Sequence, residues 1–193
     1  IVQLLRRVHE IVRVPMLYVS HELEEILQLT DHLLVLHRGR VISHDAYHVL
    51  RHDPRALEVL HDRGLTNVIS ARIARHDAEG GLTHLTIGSG EDDSLDVAAP
   101  YRPEFAVGHT VRIGIRPADI SLSLRRLEGV SIRNQMPSRI ARLTQHAGRT
   151  LIELDGGESM IAEVSPQTVQ ELGLEQGELV WRLVKSNAVR YLS

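Results

Sequence analysis

The first third of the chain alternates helical patterns with short apolar runs. Apolar residues recur at helical spacing over residues 1–12, and Pro15 ends that pattern. A second helical pattern spans residues 22–29, with acidic side chains in its first turn, where the helix dipole favours them. Residues 16–19 and 33–36 are apolar without alternation, which is typical of strands buried on both faces.

A turn signal at residues 38–40 then leads into a hairpin through Val41 and Ile42. The order is helix, strand, helix, strand, hairpin and helix. This order is typical of the end of a mostly parallel sheet with helices on its faces. We therefore predict an α/β domain over residues 1–67. The sequence starts within a helical pattern and without Met, so we expect it to belong to a longer protein.

Residues 68–193 contain an internal repeat of short strands. Residues 70–75 resemble residues 137–142 at an offset of 67, counted from Arg72 to Arg139. Residues 111–116 resemble residues 180–185 at an offset of 69. Between these strands we match Leu85-Thr86-Ile87 with Ile152-Glu153-Leu154, Ser89-Gly90 with Gly156-Gly157, and Val97-Ala98 with Val164-Ser165.

Each copy predicts three strands separated by turns, a short helical or turn segment, and a final strand. Short strands with regular turns favour small OB-like β-barrels. The predicted fold class is thus an α/β remnant followed by an all-β region of two tandem OB-like repeats. We place the first repeat at residues 68–126 and the second at residues 127–193.

Composition excludes several classes of function. Aromatic residues make up 3% of the chain and the formal net charge is −3, so neither a base-stacking surface nor broad attraction to nucleic acid is expected. The absence of Cys excludes disulfides, thiolate metal sites and a Cys nucleophile. No apolar run reaches the roughly 18 residues of a membrane-spanning helix.

Two short polar segments carry donors suited to an oxyanion. Ser131, Arg133 and Asn134 supply a hydroxyl, a fixed cation and an amide, and Lys185 with Ser186 adds a second cation and hydroxyl. If the segments met in space, they would form a donor-only cup for a small dianion. Neither segment contains a carboxylate that would repel the ligand. The alternative is that Arg133 is a solvated loop cation and Asn134 a turn residue.

Histidines offer two further candidates. His21 follows the first apolar run, at the sheet edge where ligands of open α/β sheets bind, so it could contact a phosphate oxygen or a water; a structural role is the alternative. His44, His48 and His52 are four residues apart and would share one helix face, a spacing that suits Zn or Ni. A solvated helix face is the simpler interpretation, and we assign no metal.

The stretch from Tyr18 to Glu25, followed by Asp31 and the apolar residues after it, resembles the end of an ABC transporter ATPase domain. In that family the His after the strand is the switch histidine that contacts the ATP γ-phosphate, which implies that role for His21 in a full-length subunit. The sequence lacks a phosphate loop, a Leu-Ser-Gly-Gly signature and an Asp-Glu pair closing a strand. The resemblance therefore implies ATP and Mg in the full-length subunit, and no activity for this chain alone.

The motif Arg116-Pro117-Ala118-Asp119 resembles the regulatory domains appended to ABC importer ATPases, and Ser-x-Arg-Asn at residues 131–134 with Lys185-Ser186 resembles the molybdenum-binding (TOBE or Mop) domain. Together they resemble the ATP-binding subunits of molybdate ABC importers. The resemblance implies oxyanion-binding roles for Ser131, Arg133, Asn134, Lys185 and Ser186, with Ser165 as a weaker member. The first copy has Arg116-Pro117 where the second has Lys185-Ser186, so we predict the second copy as the binding unit and the first as structural.

The same resemblance implies a translocase subunit that is peripheral on the cytoplasmic face of the bacterial inner membrane. It implies a homodimer, a transmembrane permease subunit as partner, and indirect dependence on a periplasmic molybdate-binding protein, without nucleic acid. Molybdate or tungstate bound between two copies of the regulatory domain would hold the ATPase dimer apart.

Three alternatives stay open. The first is an ABC subunit for sulfate, a sugar or a polyamine, with a purely structural TOBE domain. The second is an OB-type nucleic-acid-binding module, which the acidic charge and the scarcity of aromatic residues disfavour. The third is a free-standing oxyanion storage protein, for which the ATPase-like segment would have no use.

Overall fold

The computed structural model describes residues 1–88 and 94–192. The chain divides into two compact units, Ile1–Thr66 together with Leu192, and Asn67–Tyr191. The turn predicted at Ser89-Gly90 lies outside the described residues. In the part of the chain that is described, no helix is both long and apolar enough to cross a membrane.

The first unit contains four helices and one hairpin among its described residues: α1 Val2–Val12, α2 Leu23–Leu29, β1 His32–His37, β2 Arg40–Ala46, α3 Tyr47–Leu50 and α4 Pro54–Asp62. The predicted helices at residues 1–12 and 22–29 and the predicted hairpin are confirmed. Helix α4 begins where Asp53 accepts a hydrogen bond from Arg55 N at 3.0 Å, with Pro54 in the first turn.

The predicted strand at residues 16–19 is wrong. These residues pair with no described strand, and Leu17 and Val19 are 91% and 78% exposed. In β1, Leu33 and Val35 are buried while Leu34 is exposed, so that strand is covered on one face only. The mostly parallel sheet predicted for residues 1–67 is also not formed within the described residues, since the β1–β2 hairpin is antiparallel. A buried strand needs neighbours on both sides, and local periodicity cannot supply them.

The core of the first unit packs around Tyr47, which is 3% exposed. Its hydroxyl donates to Thr66 O at 2.6 Å and accepts from Thr66 N at 3.0 Å. Burial raises the pKa of Tyr47 to about 12. The hydroxyl therefore stays neutral and holds both backbone groups of Thr66.

The second unit carries the repeat. Its elements are β3 Asn67–Asp77, β4 Leu82–Ile87, β5 Leu95–Pro100, β6 Thr110–Ile115, a first 3₁₀ turn Pro117–Asp119, β7 Ile120–Ser123, β8 Asn134–His146, β9 Arg149–Asp155, β10 Met160–Val164, α5 Pro166–Leu172, β11 Leu179–Val184, a second 3₁₀ turn Ser186–Ala188 and β12 Arg190–Tyr191. The predicted succession of three strands, a short helical or turn segment and a further strand is confirmed: residues 101–109 form turns in the first copy, and α5 occupies that place in the second.

The two repeats exchange their last strands. One sheet has the order β12-β6-β3-β4-β5 and the other has the order β10-β9-β8-β11-β7. Strand β7 of the first repeat thus completes the sheet of the second, and β12 of the second completes the sheet of the first. The buried residues of both sheets form a single hydrophobic cluster. The repeats are therefore two curled, open sheets that share one core, and not two closed OB barrels.

Strand register confirms part of the predicted repeat and corrects the rest. Asn67 pairs with Ile115 and Asn134 with Val184, which confirms the offsets of 67 and 69 for the first and last of these strands. The predicted match of Leu85 with Ile152 is wrong, because Ile73 faces Leu85 while its counterpart Ile140 faces Leu154.

The match of Val97-Ala98 with Val164-Ser165 is wrong for a related reason. Leu85 faces Val97, and Leu154 faces Met160, so Val97 corresponds to Met160 and Ala98 to Ile161. The hairpins differ in length between the two copies, and a difference in hairpin length changes the offset without changing the fold.

A buried arginine fixes the turn between β9 and β10. Arg182 is 0% exposed, and its guanidinium donates to Glu158 O at 2.7 Å and to Gly156 O. Burial lowers the pKa of Arg182 to about 10. Gly156 has a φ of +147°, and a Cβ there would lie 2.7 Å from Pro137 O. The turn therefore requires glycine for both its conformation and its close approach to β8.

We expect Gly156→Ala to lower the free energy of unfolding by about 3 kcal/mol or more, because it adds a backbone clash to the strained conformation. The control is Gly148→Ala, where φ is +79° but no atom lies within 4 Å of the added Cβ. This control should cost about 1–2 kcal/mol. Urea unfolding followed by the fluorescence of Trp181, the single Trp of the chain, measures both. Equal losses would contradict the clash.

Candidate functional site

The segment that precedes β8 is held by one side-chain amide. Gln135 Oε1 accepts from Leu127 N at 2.9 Å, and Gln135 Nε2 donates to Leu127 O at 2.9 Å and to Ile132 O at 3.3 Å. The linker between the repeats is thereby folded back onto the start of β8. Its hydrogen bond to Ile132 fixes the backbone between Ser131 and Arg133.

Three of the predicted donors point to solvent. Ser131, Arg133 and Lys185 are exposed. Within the described residues, none of these side chains forms a hydrogen bond or an ion pair. Their donors are therefore available to a ligand, because no side chain or backbone carbonyl of the described chain engages them.

Lys185 lies on a groove of about 370 Å³ between the two 3₁₀ turns. The groove is lined by residues of both repeats: Ala118, Asp119, Ser121, Ile132, Leu183, Lys185, Asn187, Ala188 and Arg190. Ile132, which stands between Ser131 and Arg133, reaches the same groove as Lys185. The structure thus brings one residue of each predicted segment, Ile132 and Lys185, to the same groove.

The lining of the groove departs from the expected donor-only cup. Asp119 adds a carboxylate, and Arg190 adds a second cation beside Lys185. Ser186, half-buried in the second 3₁₀ turn, is not part of the lining. Asp119 was visible in the sequence as the last residue of the Arg-Pro-x-Asp motif, but the motif did not indicate that it would line this groove. The exchange of β7 pairs Ile120 with Val184, so Asp119 and Lys185 flank one cross-strand pair, and no local sequence pattern predicts this pairing.

Asn134 has a structural role, because its side chain binds the backbone of another strand. It is 2% exposed, its Oδ1 accepts from Ala98 N at 2.7 Å, and its Nδ2 donates to Ala98 O at 2.9 Å. The amide is therefore engaged at both ends with β5, the edge strand of the other repeat. The suggestion that it donates to an oxyanion is corrected on this ground.

Asn67 makes the same contact from the first repeat. Its Nδ2 donates to Ile161 O at 2.8 Å and to Ile115 O at 3.1 Å, and its Oδ1 accepts from Ile161 N at 2.6 Å. Asn67 and Asn134 are equivalent in the repeat, as are Ala98 and Ile161. We call this pair of contacts the amide clasp, because each amide holds the edge strand of the opposite repeat.

Ser165 lies outside the groove. It precedes α5, where its Oγ accepts from Thr168 N at 3.0 Å and bonds Thr168 Oγ1 at 2.8 Å. This is the usual role of Ser at a helix start. Because the side chain is exposed, it keeps one free direction toward solvent.

The histidines of the first unit do not converge. His44 lies in β2, His48 in α3 and His52 in the turn after α3, so they do not share a helix face as the spacing predicted. In the described part of the chain no group of three or more His, Cys, Asp or Glu residues is arranged to hold a metal ion. His21 is exposed, with Nε2 3.3 Å from Glu22 Oε1.

The amide clasp generates a stability prediction. Asn134→Asp and Asn67→Asp should each lower the free energy of unfolding by about 2–4 kcal/mol, because the new oxygen faces a backbone carbonyl in a buried site. Asn187→Asp, the same change at an exposed position, should stay within about 0.5 kcal/mol. Urea unfolding monitored through Trp181 measures all three. A neutral effect at Asn134 would show that the clasp does not hold the repeats.

Comparison with known proteins adds independent information. The TOBE domain family model matches residues 130–191. The molybdenum import ATP-binding protein ModC of Pseudomonas aeruginosa (strain PAO1) is 33% identical over 189 residues, covering 96% of this chain and 51% of that protein. ModC 1 of Azotobacter vinelandii is 30% identical over 96% of this chain and 50% of its own length. The chain thus spans about half the length of these relatives.

Among solved structures, the cytoplasmic molybdate-binding protein ModG with molybdate bound matches with a TM-score of 0.53 and 21% identity. The match covers 65% of this chain and 94% of ModG. At this identity the match shows a shared fold only. The chain is thus similar to the C-terminal part of the molybdenum import ATP-binding proteins, and residues 130–191 match the TOBE domain.

Proposed function

We propose that this chain is the C-terminal part of the ATP-hydrolysing subunit of a molybdate ABC importer, and that its second unit binds molybdate or tungstate as a regulatory ligand. The observation that carries the proposal is Lys185. It is the only Lys in the sequence, beside 21 Arg, and it is exposed on the groove that both repeats form. Among the residues that the structure describes, its side chain has no hydrogen-bond or ion-pair partner. An ammonium is a compact point charge with three donors, which suits a small tetrahedral anion.

The chemistry of the ligand fits the available groups. Molybdate is a tetrahedral dianion that only accepts hydrogen bonds, and charged donors contribute about twice as much as neutral ones. Lys185 and Arg133 supply the charged donors, and Ser131 and Ser186 supply hydroxyls. We place the ligand in the groove that Ile132 and Lys185 both line.

A second copy of the chain completes the site. Ser131 and Arg133 are exposed beside an open groove, so one copy encloses the anion on one side only. Ser165 lies outside the groove and joins the ligand only when another copy presents it. The homodimer therefore forms around the oxyanion. Bound ligand favours the arrangement that holds the ATPase parts apart, in proportion to its differential affinity for the two arrangements.

In the whole subunit, the relatives' names support ATP binding, and we propose Mg²⁺ as the accompanying ion. His21 takes the place of the switch histidine and contacts the γ-phosphate. The subunit lies on the cytoplasmic face of the inner membrane against a permease subunit, and a periplasmic binding protein delivers the cargo. Nucleic acid is not a partner in this scheme, which agrees with the net charge of −3.

Binding to the regulatory site is tested by calorimetry with molybdate, tungstate and sulfate. Lys185→Met and Arg133→Ala should each weaken molybdate binding by about tenfold or more, since each removes a charged donor. Arg72→Ala removes an exposed cation of the first repeat and should leave affinity within about twofold. If no binding is detected at millimolar molybdate, the second unit is not an oxyanion-binding domain, and dimerisation is the role that is left for it.

The resemblance of residues 1–67 to an ATPase domain generates a separate prediction about ATP. The sequence has no G-x-x-x-x-G-K-[ST] loop, so no backbone cradle for the phosphates exists in this chain. We expect no measurable ATP binding or hydrolysis by the chain alone, measured by equilibrium binding of a fluorescent ATP analogue and by phosphate release. Steady turnover that is lost in His21→Ala would contradict this and would place a complete site within these residues.

A further inference from the structure

We propose that Ser121 is a further oxyanion-binding residue of the groove, and that its hydroxyl donates to the same molybdate that Lys185 binds. The inference rests on the proposed function and adds a residue that the sequence motifs did not indicate. Among the described residues that line the groove, Ser121 has the only hydroxyl side chain. Ser131 and Ser186, the hydroxyls that the motifs indicated, are not part of that lining.

The Ser121 hydroxyl is available to a ligand. The side chain is exposed, and within the described part of the chain it forms no hydrogen bond. A serine hydroxyl without an internal acceptor turns its proton toward an anion, because its hydrogen rotates to suit the partner. The neighbouring Ser123 lacks this freedom, since its Oγ donates to Arg125 O at 2.6 Å and accepts from Arg125 N at 3.3 Å.

Strand register places Ser121 close to Lys185. Ser121 pairs with Leu183 across β7 and β11, and Lys185 lies two residues after Leu183. The backbone at Lys185 is still extended, with φ −68° and ψ 142°, so the side chains of Leu183 and Lys185 leave the strand on the same face. All three residues line the groove. Diagonal neighbours across an antiparallel pair are about 7–8 Å apart, which is within reach of a long side chain, so one anion can contact both Ser121 and Lys185.

The strand on the other side of β11 brings Arg133 to the same end of the sheet. Asn134 pairs with Val184, so Arg133 and Lys185 flank that pair at the adjoining ends of β8 and β11. Strands β8 and β7 lie on opposite sides of β11. In the proposed site, an anion at Lys185 therefore has a charged donor on the β8 side and the neutral hydroxyl of Ser121 on the β7 side.

The repeat explains why the sequence did not indicate Ser121. Ser121 faces Leu183 in the β7–β11 pair, and Arg190 faces Gly114 in the β12–β6 pair. Positions 114 and 183 are related by the offset of 69, so Ser121 and Arg190 are equivalent positions that carry different side chains. Both line the groove. In this proposal the first repeat, which we predicted to be structural, supplies one donor to the ligand.

Asp119 is the acidic residue nearest to Ser121 in the groove lining, two positions earlier in the chain. Its carboxylate repels any dianion in the groove, but it is the same in every Ser121 variant. Affinity ratios among those variants therefore measure the hydroxyl and not the carboxylate.

Calorimetric titration with sodium molybdate tests the proposal on four proteins. They are the unchanged chain, Ser121→Thr, Ser121→Val and Ser70→Ala. Thr and Val have nearly the same shape and both suit a strand, but only Thr carries a hydroxyl. Ser70 is an exposed residue of β3 outside the groove lining, so Ser70→Ala controls for the loss of a surface hydroxyl.

We expect Ser121→Val to weaken molybdate binding by about fivefold, because it removes a hydrogen bond to a charged ligand. Ser121→Thr keeps the donor and should stay within about twofold, as should Ser70→Ala. Urea unfolding without ligand checks that Ser121→Thr and Ser121→Val have the same midpoint. Equal molybdate affinities for these two variants would overturn the proposal.

The outcomes distinguish this inference from the proposed function. If the unchanged chain binds molybdate, Lys185→Met weakens that binding and Ser121→Val does not, the oxyanion site stands and only the role of Ser121 is rejected. If the unchanged chain shows no binding at millimolar molybdate, the oxyanion site is rejected, and the role of Ser121 is rejected with it.

Discussion

The second unit depends on two buried asparagine amides, each of which holds the edge strand of the opposite repeat. An edge strand exposes unpaired backbone groups, and burying them without partners would cost several kcal/mol. Asn134 satisfies both backbone groups of Ala98, and Asn67 does the same for Ile161. With the exchanged strands β7 and β12, these contacts make two homologous halves into one body with one core.

Near-symmetry then positions the groove. Residues of both 3₁₀ turns line it, so both halves contribute to the groove. The halves differ in the residues they bring to the groove: Lys185 lines it while its counterpart Arg116 does not, and Asp119 has Ala188 as its counterpart. A duplicated scaffold thus provides the shape, and a few side chains that differ between the copies determine the chemistry of the groove.

Because the groove is open to water, charge–charge interactions within it are weak. Lys185, Asp119 and Arg190 are in contact with water, so each single charge changes binding by a modest factor. Strong binding would require exclusion of water, which a second copy of the chain can provide. In the proposed homodimer the open groove would become a closed site, and ligand occupancy and dimer assembly would then be thermodynamically linked.

The sequence by itself determined the helices at residues 1–12 and 22–29 and the strand repeat, because periodicity is a local property. It also supplied the candidate oxyanion donors, because side-chain chemistry is local as well. Tertiary structure alone decided that residues 16–19 are exposed, that Asn134 belongs to the fold and that Asp119 lines the same groove as Lys185. Each of these depends on which strand lies beside which. Strand exchange joins residues far apart in the chain, and pairing of that kind leaves no periodic signal in the sequence.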